Sequence, residues 1–271
     1  MTALAALLPG IPLEPLVARM AATALVVMLV SWAAGRFGPL IGGALAGLPM
    51  TLGPGFFFLI AEAPAGFVSQ AAAYALLSLC ATQLFLLAYI ATARAGRPWL
   101  SLVAAILAWL LFASLLRLLP AQPFLGIALF ALVTLFCWRL SRRFTQPVEP
   151  GKGGGGVGLL LVRGLLAGLL VAAVTTASAW LGSAGSGLLL AFPIGYTVVS
   201  VTLHQTLGTA RAIATLRSAL LGTVSLAGFC LVMALAVLQW SAAVAFAAAL
   251  AASAAITLGL LAFGHSRPRT G

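Results

Sequence analysis

The chain has no aspartate and only three glutamates, Glu14, Glu62 and Glu149, against 14 lysines and arginines. Without aspartate there can be no paired intramembrane aspartates, whether for proteolysis or for Na⁺/H⁺ antiport. Charge of either sign is scarce. Charged residues make up 6% of the chain, where a soluble domain carries about 25%. Such a sequence cannot cover a water-facing surface, so the bilayer is its solvent.

Other absences narrow the chemistry. The three cysteines, Cys80, Cys137 and Cys230, all lie in apolar runs with no CxxC or Cys/His spacing. They behave as small buried hydrophobes, and neither a metal site nor a disulfide framework is expected. No HExxH or Ser/His arrangement is present, and His204 lacks a positioned serine or acid, so no enzyme is expected. The run Gly153 to Gly156 lacks the GxxxxGK[ST] order and no strand precedes it, which argues against nucleotide binding. No cofactor is implied. The net charge of +11 comes without a basic face interleaved with aromatics, so nucleic acid is not an expected partner. The N-terminus lacks the basic start of a signal peptide.

Long apolar runs fill the chain instead. A spanning helix needs about 20 apolar residues. Turn signals and charges divide the chain into nine such runs, at 16–35, 38–61, 66–93, 98–119, 121–141, 157–181, 184–206, 209–238 and 241–263. Residues 1–15, with Pro9, Pro12 and Pro15, are expected at the membrane interface. Alternating the loops across the membrane puts 12 of the 14 basic residues on one side and leaves Arg19 and Arg117 on the other. Positive charge accumulates on the cytoplasmic side, so the N-terminus is expected outside and the C-terminus inside.

Proline and glycine interrupt two of the runs. The segment Ser186 to Thr197 carries Gly187, Pro193 and Gly195. The segment Gly42 to Gly55 carries Gly43, Pro49, Gly53, Pro54 and Gly55. A shift of 144 residues places Arg19 on Arg163, Gly38 on Gly182, Gly43 on Gly187, Leu45 on Leu189 and Pro49 on Pro193. Each half then runs medium helix, broken helix, long helix, medium helix. The first repeat covers 16–119, a connecting helix 120–144, a Gly-rich cytoplasmic linker 145–158, the second repeat 159–264 and a cytoplasmic tail 265–271. The connecting helix changes the parity, so the second repeat enters the membrane from the opposite side. The expected fold is an all-α polytopic membrane protein of about nine transmembrane helices in two inverted-topology repeats, each with a broken second helix. Inverted repeats with paired interrupted helices are typical of secondary transporters, whose sites lie near the midplane where the breaks meet.

The second half, from Ser186-Gly187-Leu188 through Phe192-Pro193, His204, Gly208, Ala212, Leu216-Arg217 and Gly222 to Ser225, resembles the GlpM-type family of small bacterial inner-membrane proteins. The resemblance covers about 60 residues. The first half keeps the Pro and Gly framework but has Leu48 in place of Phe192 and Ile60 in place of His204, like a diverged duplicate. The resemblance implies a bacterial inner membrane and a loose link to exopolysaccharide and envelope physiology.

Several residues are candidates for a substrate or ion pathway. Pro49 and Pro193 free backbone carbonyls, which in lipid persist only against protein or a water-filled cavity. Thr51, Tyr196 and Thr197 follow the prolines closely and could cap those carbonyls or touch substrate. Glu62 is the only acid close to a membrane core, and His204, with Gln205 beside it, could relay a proton. Arg19 and Arg163 are symmetry mates suited to anion capture at two mouths, or to snorkelling as anchors. Gln83, polar and mid-helix, is expected to bond a neighbouring helix, and Gly164 and Gly168 to allow close helix approach. The expected function is a secondary transporter or flippase moving a small anionic or lipid-linked envelope metabolite by alternating access. The alternative is a non-transporting accessory or scaffold protein of cell-envelope or exopolysaccharide assembly. Expected partners are membrane lipids and a small-molecule substrate, with homo-oligomerisation left open.

Overall fold

The computed structural model describes residues 17–25, 28, 49, 51–146 and 157–265. The expected interfacial segment 1–15, all of residues 29–48 (with the repeat positions Gly38, Gly43 and Leu45), the centre of the linker and the tail beyond 265 lie outside the described residues. Among the described residues every regular element is a helix. They are α1 (17–25), α2 (Leu52–Glu62), α3 (Ala65–Thr92), α4 (Pro98–Leu116), α5 (Pro123–Ser141), α6 (Val157–Thr176), α7 (Ser178–Leu190), α8 (Ile194–Ala236) and α9 (Ala242–His265). Among the described residues, six stretches are long and apolar enough to cross a membrane: Ala65–Ala95, Pro98–Leu116, Pro123–Phe144, Ala179–Gln205, Gly208–Ala236 and Ala242–Leu260. The chain is a multi-pass α-helical membrane protein.

Local chemistry sets the boundaries. Pro98 and Pro123 each open a helix, where the missing N–H is one that no helix could satisfy. Pro64 caps α3 in an extended conformation. Inside α8, Gly208 adopts φ 80° and ψ 169°, a region open to glycine and strained for other residues. The long element is therefore two helices meeting at Gly208. The run expected over 157–181 is interrupted by a turn at Ala177, between α6 and α7, and the chain then breaks inside α7 at Gly182, φ 64° and ψ 177°, close to the expected end. Thr175 turns its hydroxyl back onto the carbonyl of Val171, at 2.7 Å, a local competition that weakens a helix.

α3 is the central helix. It is buried over 78% of its apolar stretch, against 22% for α4 and for α9. It runs antiparallel to the second part of α8. Ser69 near the start of α3 donates to the carbonyl of Ala234 near the end of α8, at 2.6 Å, while Gln83 further along donates to the carbonyl of Leu220, at 3.0 Å. The same Gln83 Nε2 lies 2.6 Å from Thr134 of α5 and 3.0 Å from Thr223 of α8. The polar residue expected to bond a neighbouring helix thus ties three helices. α1 runs antiparallel to α6. Arg19 reaches Thr175, whereas Gly164 and Gly168 abut Ala24, Met28 and Met20. A Cβ on Gly164 would stand 3.0 Å from the Ala24 carbonyl oxygen, so the small pair does set this crossing.

Helix boundaries recur at the 144-residue offset. α3 begins at Ala65 and ends at Thr92; the stretch after Gly208 begins at Thr209 and ends at Ala236. α4 begins at Pro98 and α9 at Ala242. The interruption at the shared position is made by Pro64 in one half and by Gly208 in the other.

Candidate functional site

The interruption between α7 and α8 carries Pro193. Its ring removes the N–H that would bond the Leu189 carbonyl, and that carbonyl accepts from Phe192 N–H instead, at 3.0 Å. Two other carbonyls at the end of α7 are satisfied from α3. Ser78 Oγ donates to the Leu188 carbonyl at 2.8 Å, and Thr82 Oγ1 to the Ala191 carbonyl at 3.2 Å. Ser78 and Thr82 are one helical turn apart, so they share a face of α3. Left unpaired, each of these buried carbonyls would cost about 1–3 kcal/mol. The break is stabilised by a hydroxyl pair on the central helix.

α7 reaches this position through a close crossing. A Cβ on Gly187 would collide with the backbone carbonyl of Ala71 in α3, so only glycine lets α7 lie this near. Phe192 packs edge-on against Trp109 of α4, centroids 4.8 Å apart. Leu190 is fully buried.

Pro49 is buried just ahead of α2. Its carbonyl accepts from Gly53 N–H at 2.6 Å, and the Thr51 carbonyl from Gly55 N–H at 3.1 Å. Pro54 falls in the first turn of α2, where it interrupts no bond. Gly55 faces the end of α7, and a Cβ there would stand 2.5 Å from Leu190 Cδ2. The start of α2 and the end of α7 are therefore in contact, and Pro49 and Pro193 are both buried.

Arg19 and Glu62 form an ion pair. The same guanidinium donates to Thr175 Oγ1 at 3.2 Å and Thr176 Oγ1 at 3.4 Å, and lies 5.7 Å from the centre of the Phe58 ring. One buried arginine joins α1, α2 and α6. The anion that Arg19 meets is the chain's own carboxylate, so capture of an external anion there requires Glu62 to be displaced. Arg163 lies in α6, and its side chain is outside the described residues.

His204 is buried and bonded at both ring nitrogens. Nδ1 lies 3.3 Å from Tyr89 Oη and Nε2 3.1 Å from Thr209 Oγ1. Tyr89 donates its only hydrogen to the Ser200 carbonyl at 3.0 Å. A neutral ring with its proton on Nδ1 satisfies the whole set: Nδ1–H donates to the tyrosine oxygen and Nε2 accepts from Thr209. Gln205, next in the chain, is exposed. Thr197 turns its hydroxyl onto the Ile194 carbonyl of its own helix, at 2.7 Å. Tyr196 packs with the aromatic and aliphatic cluster of α3 and α4.

The structure thus brings Gly55, after Pro49 and Thr51, against Leu190, before Pro193, Arg19 and Glu62 together, and His204 with Tyr89. Ser78, Thr82 and Tyr89 were not singled out from sequence. The signal for the first two was a pair of hydroxyls at helical spacing inside an apolar run. Among the described residues no group of three His, Cys, Asp or Glu side chains could hold a metal ion. Comparison with protein-family models, with curated proteins and with solved structures found no match.

Proposed function

We propose that the protein is a secondary transporter or flippase whose substrate passes between the two proline segments by alternating access. The observation that carries this reading is the contact of Gly55 in α2 with Leu190 at the end of α7. It joins the two interrupted stretches that the 144-residue offset pairs. The antiparallel runs of α1 with α6, and of α3 with α8, support two halves of inverted topology. Interrupted helices at corresponding positions of two halves are where transporters of this type bind.

In this reading the nine spans include α1, completed by residues outside the described set, and the α2 run. The arginine-rich ends are cytoplasmic, and the membrane is a bacterial inner membrane, as the GlpM-type resemblance of the second half implies. The substrate is small and anionic or lipid-linked. Glu62 holds Arg19 until a competing anion arrives, and His204 is the group available for a proton. The test is flux of phosphate- and carboxylate-bearing solutes into vesicles containing the purified protein. Pro49→Ala and Pro193→Ala alter that flux while leaving expression intact. Absence of any flux, together with a partner that remains bound through purification, would replace transport with the accessory role in envelope assembly.

A further inference from the structure

The end of α5 holds two arginines on one tryptophan. The Arg142 guanidinium lies 4.1 Å from the centre of the Trp138 ring, and that of Arg217, from α8, lies 5.5 Å from it. Two cations share one ring, and among the described residues neither has a carboxylate. The only glutamate among the described residues, Glu62, is already paired with Arg19. Arg217 Nε is buried without a hydrogen-bond partner. Arg143 adjoins, with its carbonyl accepting from Arg94 at 3.4 Å. Among the described residues, positive charge is concentrated here with no acidic side chain to neutralise it.

An apolar groove begins at the same tryptophan. It has a volume of about 320 Å³ and runs between α5 and α8, past Thr134, Leu221 and Val224, to Phe130 and Ile127. From Trp138 to Ile127 is about 16 Å at 1.5 Å per residue. One leaflet of hydrocarbon is about 15 Å, half of a roughly 30 Å core. The groove is therefore about as long as one leaflet is deep, with the arginine pair beside the tryptophan at one end.

We infer that this groove is a binding site for an anionic phospholipid, with the phosphate between Arg142 and Arg217 and one acyl chain along Phe130, Leu221 and Val224. Charge complementarity selects the headgroup: a zwitterionic lipid would bring a cation to a site that already has two. Basic pockets between spanning helices are where anionic headgroups bind. Both guanidinium groups lie against one tryptophan ring, a contact that holds two cations close together while leaving N–H groups to donate to a phosphate. The site is separate from the proline segments, and the inference does not depend on transport.

The test uses the full chain in detergent, with lipid added and retention read by native mass spectrometry. Phosphatidylglycerol binds and the zwitterionic phosphatidylcholine is lost. In Arg142→Gln/Arg217→Gln the affinity for phosphatidylglycerol falls about 30-fold, from roughly tenfold per 1.4 kcal/mol and the usual contribution of one surface arginine. Arg142→Gln alone, at an exposed position, gives part of that loss without a risk to folding. Arg117→Gln, at the opposite end of α4, leaves binding unchanged. Equal retention of phosphatidylcholine, or full retention of phosphatidylglycerol by the double variant, would overturn the inference. Displacement of the lipid by millimolar inorganic phosphate would also overturn it, since the site would then take a soluble anion.

Discussion

The long helices of the two halves occupy matching stretches of chain but are furnished differently. α3 carries Ser78 and Thr82, which hold the carbonyls of Leu188 and Ala191 beside Pro193. The positions 144 residues on, in α8, are Gly222 and Leu226, which have no hydroxyl to offer. The first half thus holds the interruption of the second through two hydroxyls that the mate positions 222 and 226 lack. Likewise His204 with its tyrosine stands where the first half has Ile60. Under the proposed repeat, helix length and breaks are kept because the bilayer thickness and the chain direction depend on them. Polar side chains are free to diverge, since each needs only one local partner.

This contrast can be broken at several points. The largest effect is expected at Gly187→Leu, where the new side chain meets the Ala71 backbone and forces α7 off α3. A cost of about 3 kcal/mol is expected from such overpacking, measured as a lower Tm in detergent. Next is the hydroxyl pair. Ser78→Ala with Thr82→Ala strands two carbonyls and costs about 2 kcal/mol, at the low end for two unsatisfied groups. If the asymmetry is real, Leu226→Ala, the mate of Thr82, leaves the α7–α8 break untouched in hydrogen exchange.

Arg19→Gln and Glu62→Gln each remove one member of the ion pair. Each costs about 1.5 kcal/mol, in the range for hydrogen bonds to charged groups. The double variant costs less than the two added, because neither charge is then left alone. Additive costs would mean that the pair contributes nothing as a pair. The smallest effect is at Gly222→Ala. An added Cβ there meets nothing within 4 Å, and replacing a mid-helix glycine gains about 0.5–1 kcal/mol.

Much of the architecture was legible in the sequence. The apolar runs 98–119, 121–141 and 209–238 became α4, α5 and the second part of α8, because bilayer thickness and helix rise together fix their length. The offset of 144 residues predicted that a boundary near Pro64 would recur near Gly208, although the residue that makes it differs. The site was less legible. Pro49 and Pro193 announced themselves, since proline acts on its own backbone. The ion pair of Arg19 with Glu62 did not, because the partners are far apart in sequence and meet only through the packing of α1 and α2. The hydroxyls of Ser78 and Thr82 were silent for the same reason. Their role depends on where α7 ends, and Gly187 decides that by admitting the Ala71 carbonyl.

The central claim is that the two proline segments line a path opened in turn to each side. Single cysteines at Thr51 and Ile194 test it most directly, in a chain whose native Cys80, Cys137 and Cys230, all buried, are replaced by alanine. A membrane-impermeant maleimide is applied to either face of oriented vesicles. Alternating access predicts that both cysteines are labelled from both faces. Labelling from neither face, or from one face only, would contradict it.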